Sequence, residues 1–98
     1  MEIRILEAAE AELDDAVEYY NAESPGLGDE FLLEFIKSVE RIKNYPDAWH
    51  PFSKATRRCR LNRFPYAIIY HPHNENIDII AVACLHRRPG YWKKRLKF

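Results

Sequence analysis

The hydrophobic positions of this 98-residue chain follow two different periods. Between residues 8 and 44 apolar side chains recur every three or four residues, which is the period of an amphipathic α-helix. Between residues 56 and 84 they alternate with polar side chains or run continuously, as in half-buried and fully buried β-strands. The pattern therefore predicts a helical first half and a sheet-forming second half.

Two helices are predicted in the first half, after a short strand over residues 2–6. The first helix covers residues 8–23 and ends at the breaker Ser24-Pro25-Gly26. Ser24 is expected to cap a second helix, which begins at about residue 25 or 27 and ends at Asn44. Because few residues join the helices, we expect an antiparallel hairpin whose apolar faces pack on a sheet.

Three strands are predicted in the second half, over residues 56–62, 66–70 and 77–84. Turns at 63–65 and 71–76, which contain Pro or Asn, connect them into an antiparallel meander. The third strand is almost continuously apolar, as expected of a central strand covered on both faces.

The predicted fold class is α+β, with the order β-α-α-β-β-β and a short helical tail over residues 91–96. The length predicts a single domain over residues 1–98. Cys59 and Cys84 lack a CxxC spacing and are expected to be free thiols. No apolar run is long enough for a membrane span and no signal peptide is recognised, so a cytoplasmic protein without a membrane partner is expected.

Formal charge is divided unevenly along a chain whose net charge is zero. Residues 1–49 carry 13 acidic and four basic side chains, whereas residues 50–98 carry two acidic and 11 basic ones. The basic half ends in LHRRPGYWKKRLKF, residues 85–98. This division indicates a polyanionic partner, either nucleic acid or an acidic protein segment. Attraction between acidic helices and a basic sheet explains part of the division, but not a basic cluster at a terminus.

Five residues are candidates for phosphate chemistry. Arg58 and Arg60 lie two apart on a strand, so both guanidinium groups stand on one face and can hold an anion; the alternative is an edge strand whose charges prevent aggregation. His86, Arg87 and Arg88 follow the apolar strand, where His86 can act as a general base and the arginines can bind phosphate; a structural histidine is the alternative.

Two aromatic residues lie within this basic segment. Tyr91 is suited either to stacking on a base or to closing the core, and Trp92 is predicted to anchor the tail in the core. His50, His71 and His73 show no metal-ligand spacing, and no cofactor-binding loop is recognised. Neither a metal nor a small-molecule cofactor is expected.

Several motifs in this order resemble one family. They are YY at residues 19–20, SPGLGDEF at 24–31, RCRLNRFPYAIIY at 58–70 and IDIIAVACLHRRPGYW at 77–92. Over nearly the whole chain they resemble the RelE/ParE superfamily of type II toxin–antitoxin toxins, also called plasmid-stabilisation proteins. The resemblance implies a helical hairpin packed on a twisted antiparallel sheet, a basic concave face, and a cognate antitoxin that covers this face.

The two branches of the superfamily imply different targets. ParE-like members inhibit DNA gyrase and are not nucleases, and the FPYAIIY and HRRPGYW motifs are more similar to this branch. RelE-like members bind the ribosome and cleave mRNA by metal-independent phosphoryl transfer. A third interpretation is a non-toxic nucleic-acid-binding or interaction module.

The resemblance to the ribonuclease branch implies roles for particular residues. Arg58 and Arg60 match two basic strand positions, Arg87 matches a basic residue after the last strand, and Tyr91 lies near the family's tyrosine. Ala67 stands where the ribonucleases have a further arginine, whose loss weakens stabilisation of the transition state. The candidate catalytic set, if the chain is a ribonuclease, is Arg58, Arg60, His86, Arg87 and Tyr91. The candidate target- or antitoxin-binding set is Arg58, Arg60, Arg87, Arg88, Tyr91 and Arg95.

Overall fold

The computed structural model describes residues 2–49, 51, 55–88 and 90–96. The helices and strands, in chain order, are β1 (Ile3–Ile5), α1 (Glu7–Glu23), α2 (Leu27–Asn44), β2 (Arg57–Arg60), β3 (Tyr66–His73) and β4 (Asn76–Cys84). A one-turn 3₁₀ helix, Lys93–Arg95, follows in the tail and is shorter than the predicted helical segment. His50 lies outside the described residues.

The four strands form one sheet in the order β1-β4-β3-β2. β2, β3 and β4 make the predicted antiparallel meander, and β1 pairs in parallel with β4, with Ile3 opposite Ile77 and Ile5 opposite Ile79. β4 is therefore central, and its residues 77–83 are buried on both faces, as their apolar run predicts.

The turn predicted within residues 71–76 is present but shorter, because the β3–β4 hairpin is longer than the sequence predicts. β3 continues to His73, and only Asn74 and Glu75 form the turn, both with positive φ. Pro72 is tolerated because β2 ends its pairing opposite Tyr70, so no strand requires an N–H from Pro72 on that side. The extra pairs place His71 opposite Asp78 on the sheet.

The hairpin α1–α2 is closed by an asparagine and a glycine, not by the predicted Ser24 cap. Gly26 precedes α2 with φ of 88°, and Ser24 donates its N–H to the Tyr20 carbonyl at the end of α1. The Asn21 side chain instead accepts the Gly28 N–H at 2.7 Å. Gly28 is buried so closely against α1 that a Cβ there would lie 2.1 Å from the Val17 carbonyl oxygen.

The helix side of the sheet carries the larger core. Tyr20 of α1, Phe31 of α2, Phe64 of the β2–β3 connection and Tyr66 of β3 form an aromatic cluster with ring centroids 5.0–6.1 Å apart. Cys59 and Leu61 face this core, so Arg58 and Arg60 lie on the opposite side of β2, as the strand alternation predicts.

The opposite side of the sheet, here called the tail face, is partly covered by residues 85–88 and 90–96. Trp92 is 1% exposed and packs on Ile69, Ile80 and Ala83, which confirms its predicted role as the anchor of the tail. A register shift opposite Ile69 and Tyr70 lets Ile80 and Ala81 both contribute to this second core. Cys59 and Cys84 are free thiols, and no helix in the described part of the chain is long and apolar enough to cross a membrane.

Candidate functional site

The tail face brings three predicted arginines around one cavity. Arg58 reaches it from β2, and Arg87 and Arg88 reach it from the segment after β4. The cavity has a volume of about 50 Å³, and its floor is formed by Ala67, Ile69 and Ala83. No carboxylate is among the described residues that line it, so the local charge favours an anionic ligand.

Tyr91 lies between two of the basic residues. The guanidinium carbon of Arg87 lies 4.1 Å from the centroid of the Tyr91 ring, and that of Arg95 lies 5.2 Å from it. Both distances are within the range of cation–π contacts. Arg87 is exposed and remains accessible to a partner, whereas the Arg95 side chain is 22% exposed.

Arg95 and Tyr91 converge on one carboxylate of α1, that of Glu12. Arg95 donates to the two Glu12 oxygens at 2.7 and 3.2 Å, and the Tyr91 hydroxyl donates to Oε2. Glu12 also accepts the backbone N–H of Val82 at 3.1 Å, while Arg95 donates to the Ile80 carbonyl at 3.1 Å. The tail is thereby joined both to α1 and to the backbone of β4.

The surroundings of Tyr91 make its phenol a weaker acid than that of an ordinary tyrosine. Burial raises the pKa of Tyr91 above its ordinary value, and the hydrogen bond to Glu12 and the charge of that carboxylate raise it further. A tyrosine held in this state keeps its proton at neutral pH. Tyr91 is therefore better suited to holding Arg87 and the tail in place than to acting as a base that accepts a proton.

A second, larger concavity lies beside the edge of β4 and is here called the β4-edge groove. It has a volume of about 310 Å³ and opens between α1 and the segment after β4. Its lining is amphipathic, with acidic, basic, aromatic and apolar groups: Glu12, Asp15, Ala16, Tyr19, Tyr66, Val82, Cys84, Arg87 and Tyr91. Arg87 and Tyr91 belong to both concavities, so the groove and the arginine-lined cavity are adjacent.

Two predicted site residues lie apart from this arrangement. Arg60 is exposed at the end of β2 and His86 is exposed in the turn after β4, and neither lines the arginine-lined cavity or the β4-edge groove. The structure therefore groups Arg58, Arg87, Arg88 and Tyr91, and places Arg95 behind Tyr91 against Glu12.

Sequence reasoning missed Glu12, Tyr19 and Tyr66 as parts of this region. Glu12 is one of 13 acidic residues in the first half of the chain, and nothing in its neighbours distinguishes it from the solvated ones. In sequence the YY pair at 19–20 is distinguished only as a family motif, although its two rings take different positions: Tyr20 enters the core and Tyr19 is 57% exposed at the groove.

Comparisons with known proteins agree on one family. The sequence model of the family described as "ParE toxin of type II toxin-antitoxin system, parDE" matches residues 3–89. Toxin ParE2 of Mycobacterium tuberculosis, from strains CDC 1551 / Oshkosh and ATCC 25618 / H37Rv, is 33% identical over 81 residues, which are 82% of this chain and 77% of the relative. A solved structure described as the chromosomal ParDE TA system from P. aeruginosa superimposes with a TM-score of 0.70, covering 88% of this chain and 97% of that one at 17% identity, a likeness of fold.

Proposed function

This chain belongs to the ParE toxin family of type II toxin–antitoxin systems, and on that premise we propose that it inhibits growth by acting on DNA gyrase. A cognate antitoxin is the partner that such a system implies. The proposal extends to a cytoplasmic location, where gyrase acts, and to neutralisation by an antitoxin that covers the arginine-lined cavity and the β4-edge groove.

The state of Tyr91 is the observation that carries the choice of gyrase over mRNA. If the chain were a ribonuclease of the RelE type, Tyr91 would be a catalytic candidate, yet its hydroxyl is bound to Glu12 and its pKa is raised by burial and by that carboxylate. Ala67, at the position of the further arginine of that branch, is a buried floor residue of the cavity. Arg60 and His86 do not converge with Arg58 and Arg87 there.

One observation supports the ribonuclease as a second candidate. Arg58, Arg87 and Arg88 line one cavity without a carboxylate, which is an arrangement that a phosphate group of RNA could enter. In gyrase inhibition the same arginines would contact acidic side chains of the enzyme or the phosphates of its DNA.

The test is to induce the wild-type chain without its antitoxin and to follow DNA supercoiling and mRNA integrity together. We expect filamentous growth, a DNA-damage response, and loss of gyrase supercoiling when the purified chain is added in vitro. Early cleavage of mRNA at ribosomes, with supercoiling intact, would assign the chain to the ribonuclease branch. Unaffected growth at a verified expression level would favour the non-toxic interaction module.

A further inference from the structure

The inference concerns the solvent-facing side of α2. Leu32, Leu33 and Ile36 lie there with 36%, 51% and 51% of their surface exposed. Ile36 is four positions after Leu32 and three after Leu33, so the three side chains are neighbours and form one apolar surface, here called the α2 patch. Phe31 and Phe35 of the same helix point into the core instead. An apolar patch on an otherwise charged surface marks a place where another molecule docks.

Charge distinguishes α2 from the other helix. α1 carries seven acidic and no basic side chains, so two copies of α1 would repel each other. α2 carries four acidic and three basic side chains, and these three are most of the four basic residues in the acidic half of the chain, residues 1–49. α2 is therefore the helix that a second copy of this chain can approach without repulsion.

The charges beside the α2 patch are placed symmetrically about Ile36. Asp29 lies seven positions before Ile36 and Lys43 lies seven positions after it, which is nearly two helical turns in each direction. All three therefore lie on the same side of the helix. Asp29 and Lys43 are exposed, and neither makes an ion pair with another described residue.

This symmetry specifies the kind of partner. A partner surface of one charge would be attracted at one end of α2 and repelled at the other. A second copy of α2 in parallel orientation would place like charges together at both ends. A second copy in antiparallel orientation would meet the opposite charge at both ends.

We propose that two copies of this chain pair through the α2 patch, with the helices antiparallel and a two-fold axis passing beside Ile36. Ile36 then packs on Ile36 of the second copy, and Asp29 faces Lys43 of the second copy at each end. The interface is isologous, as in most homodimers. The inference assumes neither gyrase nor the antitoxin, so it stands or fails separately from the proposed function.

The size of the patch limits the strength of the dimer. One helix face buries less surface than the interfaces of stable complexes, which bury about 1,200–2,000 Å² in total. We therefore expect a reversible dimer with a Kd on the order of 10–100 µM. Because α2 lies on the helix side of the sheet, pairing leaves the tail face of each copy accessible.

The test is sedimentation velocity of the purified wild-type chain over about 5–500 µM, where the sedimentation coefficient should rise from that of a monomer to that of a dimer. Ile36→Glu places two carboxylates beside the axis and should weaken pairing at least about tenfold. Tyr19→Glu, the control, makes the same change at a side chain of α1 that is 57% exposed, and should leave the Kd within about twofold. Circular dichroism verifies that each variant is folded.

A charge exchange tests the antiparallel orientation. Asp29→Lys alone and Lys43→Asp alone each place like charges together at both ends, and each should raise the Kd about three- to tenfold. The double variant exchanges the two charges and should restore the wild-type Kd to within about twofold.

A dimer that is weakened by Ile36→Glu and restored by the double charge exchange would support the inference. A chain that stays monomeric up to about 500 µM would overturn it, as would a dimer that Ile36→Glu does not weaken. Failure of the double variant to restore pairing would overturn the antiparallel arrangement and the inference with it. A monomeric wild-type chain whose affinity for the antitoxin falls on Ile36→Glu would assign the α2 patch to the antitoxin instead.

Discussion

The carboxylate of Glu12 and the guanidinium of Arg95 face each other with N–O distances of 2.7 and 3.2 Å, although 83 positions separate the two residues in the chain. Their side chains are only 15% and 22% exposed. The pair closes the side of the sheet that β1 leaves uncovered, and it fixes the Tyr91 ring against which the functional candidate Arg87 lies. Stability and the shape of the basic face thus depend on the same contact.

Replacement of Glu12 by Ala should destabilise the fold strongly. It removes the acceptor of Arg95, Tyr91 and the Val82 N–H together, and it leaves a largely buried guanidinium without its counter-ion. We expect a loss of about 2–4 kcal/mol in the free energy of unfolding, measured by urea denaturation. Glu10→Ala, on an exposed position of the same helix, is the control and should change this energy by less than about 0.5 kcal/mol. Equal effects of the two substitutions would contradict the assigned role of Glu12.

Stability should fall at alkaline pH because four tyrosines resist ionisation in the folded state. Burial, with a smaller contribution from Cys84, raises the pKa of Tyr66 from 10.0 to about 12, and burial also raises the pKa of Tyr20, Tyr70 and Tyr91. The folded state then holds protons that the unfolded state releases above pH 10, so this contribution to stability is complete below pH 10 and is lost as the pH rises toward 12.

Urea denaturation at pH 8 to 11.5 measures this loss. Tyr66→Phe should make the decline above pH 10 less steep, because it removes one of the groups whose pKa is raised. A pH-independent free energy of unfolding over this range would reject the assignment.

Gly28→Ala should separate the two helices. The added Cβ would lie 2.1 Å from the Val17 carbonyl oxygen, which is backbone and cannot move without displacing α1. Despite the better helix propensity of Ala, we expect a loss of about 1–3 kcal/mol in the free energy of unfolding. Glu40→Ala, on the exposed face of α2, is the control for the effect of any substitution in this helix. It should leave the free energy of unfolding almost unchanged. A stabilised Gly28→Ala variant would show that the helices do not pack this closely.

Arg87→Glu should weaken binding of the antitoxin with little effect on folding. The side chain is exposed, and its main contact is the Tyr91 ring, so the expected cost in stability is below about 1 kcal/mol. Charge reversal at a site that binds an acidic segment should reduce affinity at least about tenfold, measured by isothermal titration calorimetry. Lys43→Glu makes the same charge change on α2, away from the basic face, and should leave affinity within about twofold. If both variants lost affinity equally, net charge and not the site would explain the binding.

Periodicity and composition determined most of the architecture because both are local properties. The two helices and the three strands of the meander were predicted within a few residues, and the continuous apolar run of 77–84 identified β4 as central. The burial of Trp92 also followed from residue type alone, since so large an apolar surface is seldom left in water. The motifs around RFPY and HRRPGYW were sufficient to identify the family.

The tertiary structure alone decided which charged residues act together. Glu12 is indistinguishable in sequence from its acidic neighbours, and only the packing of α1 beside the end of β1 places it opposite Arg95 and Val82. The same packing engages Arg95 with Glu12 while Arg87 stays exposed, although the sequence treats them as equal members of one basic tail. Such pairs are formed by residues that are far apart in the chain and are brought together by packing of the whole fold. For that reason, hydrophobic period and composition along the chain do not reveal them.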